Sequence, residues 1–138
     1  MNTFLFTWEL GGGLGHLHRL LPFAEGLTAR GHRVVVALRD LSRAREVFRD
    51  KAIALVQAPF KHRRTNQIEP ALSFAHLLHN IGFGDLNELS GLTDAWRNLI
   101  RYVNPDAIVF DHSPPTSPTA RLLRCSPGLD VPVTLARD

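Results

Sequence analysis

Four of the five residues from Gly11 to Gly15 are glycine, and His16 follows them at once. The run stands directly after a short apolar segment, Thr3 to Trp8, and directly before an apolar periodic one. Glycine lets backbone turn tightly and come close to another group. A glycine loop ahead of a helix is also a place where an anion meets backbone N–H groups. An imidazole delivered by such a loop can act as a general base near neutral pH. Much later in the chain, Asp111 ends a second apolar run, Ala107 to Phe110. A carboxylate there can meet the imidazole, fix its tautomer and stabilise the imidazolium formed as it takes a proton. The same residues also fit a plainer arrangement, a capping histidine and an ordinary strand-end aspartate.

Two phosphate-binding motifs can be tested against the loop. A P-loop needs Gly-Lys-Ser/Thr at its end, whereas Gly15 is followed by His16 and Leu17. The dinucleotide pattern G-x-G-x-x-G fits Gly11 and Gly13 but meets His16 in its third place; started at Gly13 and Gly15 it meets His18. An NAD(P)-dependent oxidoreductase half-domain, with Arg39 or Asp40 near the ribose, is therefore an alternative without its fingerprint. His76 and His79 are three apart on an expected helix but lack an acidic companion, so no metal is expected. Trp96 reads as core, His18 as a helix-face residue and Cys125, the only cysteine, as a bystander.

These residues must be positioned by regular elements. Thr3 to Trp8 predicts a strand. Leu17, Leu20, Leu21, Ala24 and Leu27 recur at helical spacing. Pro22 means that this helix either begins near Leu21 or is interrupted there, and Gly31 stands where a C-terminal cap belongs. Arg33 to Leu38 is a nearly continuous apolar run, as in strands covered on both faces. Ser42 is a candidate N-cap for a helix reaching about Phe48. Ile53 to Gln57 predicts a third strand, Ala71 to Asn80 a helix broken by Ile81 to Asp85, and Leu92 to Val103 a strongly amphipathic helix. Ala107 to Phe110 predicts a fourth strand with Asp111 at its carboxyl end. The alternation argues for a parallel α/β sheet with helices on both faces, whose ligands bind at the carboxyl ends of strands. The stretch from Pro114 is proline-rich and less regular, with "VPVTLA" as an edge strand at most.

With both Gly-His steps in view, the sequence resembles the N-terminal half of the two-domain GT-B glycosyltransferases. It is most similar to the UDP-glycosyltransferase and macrolide glycosyltransferase family. Gly15-His16 and Gly31-His32 stand 16 residues apart (31 − 15), and "PDAIVFDHSP", Pro105 to Pro114, resembles the family's later aspartate-bearing strand. The resemblance covers Thr3 to Ser113. It implies a Rossmann-like fold and inverting transfer of a sugar from a nucleotide-sugar donor to an acceptor hydroxyl, with no metal and no cofactor. His16 would be the catalytic base and Asp111 its orienting carboxylate. Gly12, Gly13 and Gly15 would let substrate approach the backbone, and Ala71 to Tyr102 would contribute to the acceptor pocket.

Arg19 occupies a place where the family often has proline. The family's donor nucleotide is held mainly by a separate C-terminal domain, for which 138 residues leave no room. The expectation is an acceptor-side domain over residues 1–113 and an irregular tail over 114–138, the product of truncation or of a shifted reading frame, with little or no transferase activity alone. The alternative is a non-catalytic remnant, or a module that pairs with a separate donor-binding chain.

Composition agrees with a globular domain: 44% of residues are hydrophobic and 21% charged. A chain of this length can bury roughly two-thirds of the surface it exposes when unfolded. The net charge of +3 gathers at Arg39, Arg43, Arg45, Arg49 and Lys51, and again at Lys61 to Arg64. Acidic residues are interleaved with the first cluster, and no aromatics are interleaved with either in a way that suggests base stacking, so a nucleic-acid partner is not expected. No apolar run approaches the roughly 20 residues of a membrane span. The N-terminus lacks a basic signal-peptide region, and the expected location is cytoplasmic.

Overall fold

The computed structural model describes residues 1–10, 14–61, 66–111, 113–114 and 133–135. Gly12, Gly13, Cys125, residues 62–64 of the second basic cluster and most of the tail lie outside them. Strands β1 (Thr3–Trp8), β2 (Arg33–Leu38), β3 (Ala54–Gln57), β4 (Ala107–Asp111) and β5 (Val133–Leu135) form one sheet in the order β3-β2-β1-β4-β5. Every neighbouring pair is parallel. The edge strand β5 falls within "VPVTLA", the part of the tail read above as an edge strand at most.

Helices cover both faces, which explains why β2 is apolar almost throughout. Phe6, Trp8, Val34, Val36 and Leu38 pack with Leu17, Leu20 and Ala24 of helix α1 (Gly15–Ala29), and with Ala44 of helix α2 (Leu41–Val47). Leu5, Val35, Ala37, Ile108 and Phe110 point the other way, onto Trp96, Ile100 and Val103 of helix α4 (Leu86–Val103). Alternate residues of each strand thus feed opposite cores. Ala95, expected on the apolar stripe of α4, is exposed.

Element ends follow local chemistry. Helix α1 runs through Pro22, so it begins at the glycine loop and not near Leu21. Pro22 is exposed, on the water-facing side of the helix. Gly31, at φ +79°, ends the helix: its N–H reaches the Thr28 carbonyl at 2.9 Å and that of His32 the Leu27 carbonyl at 3.1 Å. This paired arrangement needs a left-handed residue, which glycine supplies without strain. The N-cap of α2 is Asp40, not Ser42; Asp40 Oδ1 accepts from the Ser42 N–H at 2.8 Å and from Ser42 Oγ at 2.6 Å.

The helix expected over Ala71 to Asn80 is shorter. Helix α3 (Phe74–Leu78) passes into a π-helical turn, His79–Phe83. Gly82 there has φ +118°, and a Cβ would stand 2.7 Å from Leu92 Cδ1, so only glycine fits. Asp85 then caps α4, accepting from the N–H groups of Asn87 and Glu88, and Asn104 closes it in the left-handed conformation.

Candidate active site

Parallel pairing puts the last residues of β1 and β4 side by side, with Trp8 in register with Asp111. Both side chains leave the sheet on the face that carries α1. Because only six residues separate the end of β1 from the start of α1, the second residue of the helix, His16, is held at the same rim. His16 Nδ1 lies 2.9 Å from Asp111 Oδ2, across 95 positions of sequence. The carboxylate accepts, so Nδ1 donates and the basic lone pair falls on Nε2. The two side chains keep 25% and 14% of their surface open, enough for the imidazole to be reached and little enough for the pair to be shielded from bulk water. The indole of Trp8 stacks on the imidazole, with centroids 5.5 Å apart and planes 25° apart.

Of the expected site residues, His16 and Asp111 are brought together, and Gly15 opens α1 directly before them. An added Cβ at Gly15 would meet nothing within 4 Å among the described residues, so their packing does not require glycine there. Gly12 and Gly13 belong to the undescribed part of the loop. The second Gly-His step has a different place. Gly31 is a helix stop, and His32 sits at the opposite end of the strands, where its Nδ1 accepts the Asn2 N–H at 3.3 Å and its ring meets Phe4 edge-on.

The rim holds a further carboxylate that the motifs did not single out. Glu9 is 7% exposed and accepts a 3.2 Å hydrogen bond from the indole N–H of Trp96, itself fully buried in α4. Its signal in the sequence is a charged residue placed directly between an apolar strand and the glycine run. Glu9, Arg39 and Phe60 border a cleft over the carboxyl ends of β1, β2 and β3, closed by Asn80 and Ile81 of the π-helical turn. Asn80 is fixed by two hydrogen bonds to the backbone of Ile68, at 2.8 and 3.0 Å. The cleft holds about 30 Å³, room for a water or two and not for a sugar. Leu92 of α4 lines it as well.

The other candidates are engaged structurally. His76 Nδ1 accepts the Leu72 N–H at 3.2 Å, and His79 Nε2 donates to the Asn66 carbonyl at 2.9 Å. Among the described residues no three potential ligands gather as a metal site would need. Lys61 pairs with Glu88 at 2.8 Å, and Lys51 with Glu25. No described helix is long and apolar enough to cross a membrane.

No family model matches the chain, and no curated protein matches it by sequence. Solved structures do. MurG of Acinetobacter baumannii superposes with a TM-score of 0.65 at 16% identity, over 98% of this chain and 35% of that one. The calicheamicin glycosyltransferase CalG4 gives 0.57 at 20% identity, over 97% and 32%. UGT73P12 of Glycyrrhiza uralensis, complexed with glycyrrhetinic acid 3-O-monoglucuronide, gives 0.57 at 20% identity, over 99% and 28%. The chain thus spans about a third of the length of the structures it matches. At these identities the likeness speaks for architecture: the chain has the Rossmann-like fold found in GT-B glycosyltransferases.

Proposed function

We propose that this chain supplies the acceptor-side half of an inverting glycosyl transfer. His16 Nε2 takes the proton of an acceptor hydroxyl while Asp111 holds Nδ1–H and stabilises the imidazolium that results. The acceptor oxygen attacks the anomeric carbon of a nucleotide-sugar as the bond to the nucleoside diphosphate breaks. That leaving group departs with the bonding electron pair. Gly12, Gly13 and Gly15 let the reacting sugar lie close to the backbone of the loop. The observation that carries this reading is the 2.9 Å contact between His16 and Asp111 at the carboxyl rim of a sheet with this fold.

A departing diphosphate needs fixed positive charge or hydrogen-bond donors, often the largest catalytic contribution in such a site. The described residues form one sheet, and the donor clamp is assigned to a second nucleotide-binding unit. The test is nucleoside diphosphate release from a panel of nucleotide-sugars and hydroxyl acceptors. It is measured for residues 1–138 alone, and for the same residues joined to the donor-binding remainder of a structural neighbour such as CalG4. The expected result is acceptor-dependent release only in the joined protein, lost in His16→Ala. Release that is indifferent to His16 rejects the proposal, and rapid release by residues 1–138 alone rejects the need for a second unit.

A further inference from the structure

Trp8 is the element of this site whose presence folding alone does not explain. Its side chain is 5% exposed, in the core between β1 and α1, yet its indole N–H has no hydrogen-bond partner among the described residues. A buried donor left unpaired opposes folding, and phenylalanine would fill the position without one. What the larger ring does is cover the imidazole of His16 at 25° between planes, in the offset range that aromatic pairs favour.

The hydrogen bond to Asp111 fixes one atom of the imidazole, Nδ1. A hydrogen bond tolerates a range of angles, so small changes of the side-chain torsions tilt the ring and carry Nε2 with it. A flat wall against one face of the ring narrows that range of tilt. Trp8 is well placed to be the wall. It is in register with Leu38 on one side and Asp111 on the other, so its backbone is held by two neighbouring strands. Its side chain belongs to the same packed cluster as Leu17 and Leu20, which anchor the first turns of α1. The wall and the carboxylate therefore rise from adjacent strands, while the imidazole comes from the helix packed over them.

We propose that Trp8 is a positioning residue: its indole face sets the plane of the His16 ring and so aims Nε2. This inference rests on the reading of His16 as a base for its importance, but not for its test. Side-chain nuclear magnetic resonance of the full chain reads the ring directly, with the His16 signals identified by their loss in His16→Ala. In the parent, the His16 carbon-bound ring protons should be displaced upfield by the indole and show cross-relaxation to Trp8. The ring nitrogens should report one tautomer, with the proton on Nδ1. Trp8→Phe should keep that pattern in weaker form. Trp8→Leu should abolish the displacement and change the cross-relaxation from the His16 ring protons to their remaining neighbours, while the tautomer held by Asp111 and the amide spectrum of the sheet are preserved.

Unchanged cross-relaxation from the His16 ring protons to their remaining neighbours in Trp8→Leu would overturn the proposal. Absence of the upfield displacement and cross-relaxation in the parent would overturn it as well, whether or not the leucine variant folds. Neither readout needs turnover. A failed glycosyl transfer therefore counts against the functional proposal above and leaves this one to be judged on the ring itself.

Discussion

The indole N–H of Trp96 donates to the Glu9 carboxylate at 3.2 Å, linking the middle of α4 to the residue that follows β1. Glu9 is nearly buried, and a desolvated carboxylate that loses a donor is costly. Trp96→Phe keeps most of the ring in the core but removes this bond, and should lower stability by about 1–3 kcal/mol. Urea unfolding of Trp96→Phe beside Trp96→Phe/Glu9→Gln checks the cause, since a neutral amide tolerates the missing donor better. An equal loss in both backgrounds would assign the effect to packing alone.

Two glycines separate folding from site chemistry. Gly31→Ala forces a side chain to φ +79° and should cost about 1–2 kcal/mol. Gly15→Ala meets open space among the described residues, inside a helix, and should be neutral or stabilising by up to about 1 kcal/mol. Thermal melts of the two variants provide the comparison. Any loss of function in Gly15→Ala at full stability then reports close approach of substrate to the loop.

At the start of α2, Asp40→Ala removes a cap that accepts from both the N–H and the hydroxyl of Ser42. The expected cost is about 0.5–2 kcal/mol, read by chemical denaturation. Ser42→Ala keeps the backbone bond and should cost less. The reverse order would show that the hydroxyl, not the Asp40 carboxylate, organises this end.

Much of this architecture was legible because the strands are covered on both faces. β1, β2 and β4 read as apolar runs, and α4 shows an unambiguous stripe at Leu92, Trp96, Ile100 and Val103. The convergence of His16 and Asp111 could be anticipated because both follow strand ends in a parallel sheet. Less legible were features set by tertiary packing. Helix α1 passes through Pro22 because that residue faces water, and residues 74–83 form a short helix and a π-helical turn where Gly82 must yield to Leu92. Glu9 and Trp8 escaped notice as site residues because their partners, Trp96 and His16, are brought to them only by the fold.

The most direct test of the paired roles of His16 and Asp111 is a double-mutant cycle on acceptor-dependent nucleoside diphosphate release in the joined protein. His16→Ala should lower the rate by about a hundred- to ten-thousand-fold, the usual worth of a general base. Asp111→Asn should lower it substantially with the histidine present, and the double variant should be no slower than His16→Ala, because the residues act as one unit. Losses that multiply independently, or a His16→Ala protein that keeps the parent rate, would contradict the account.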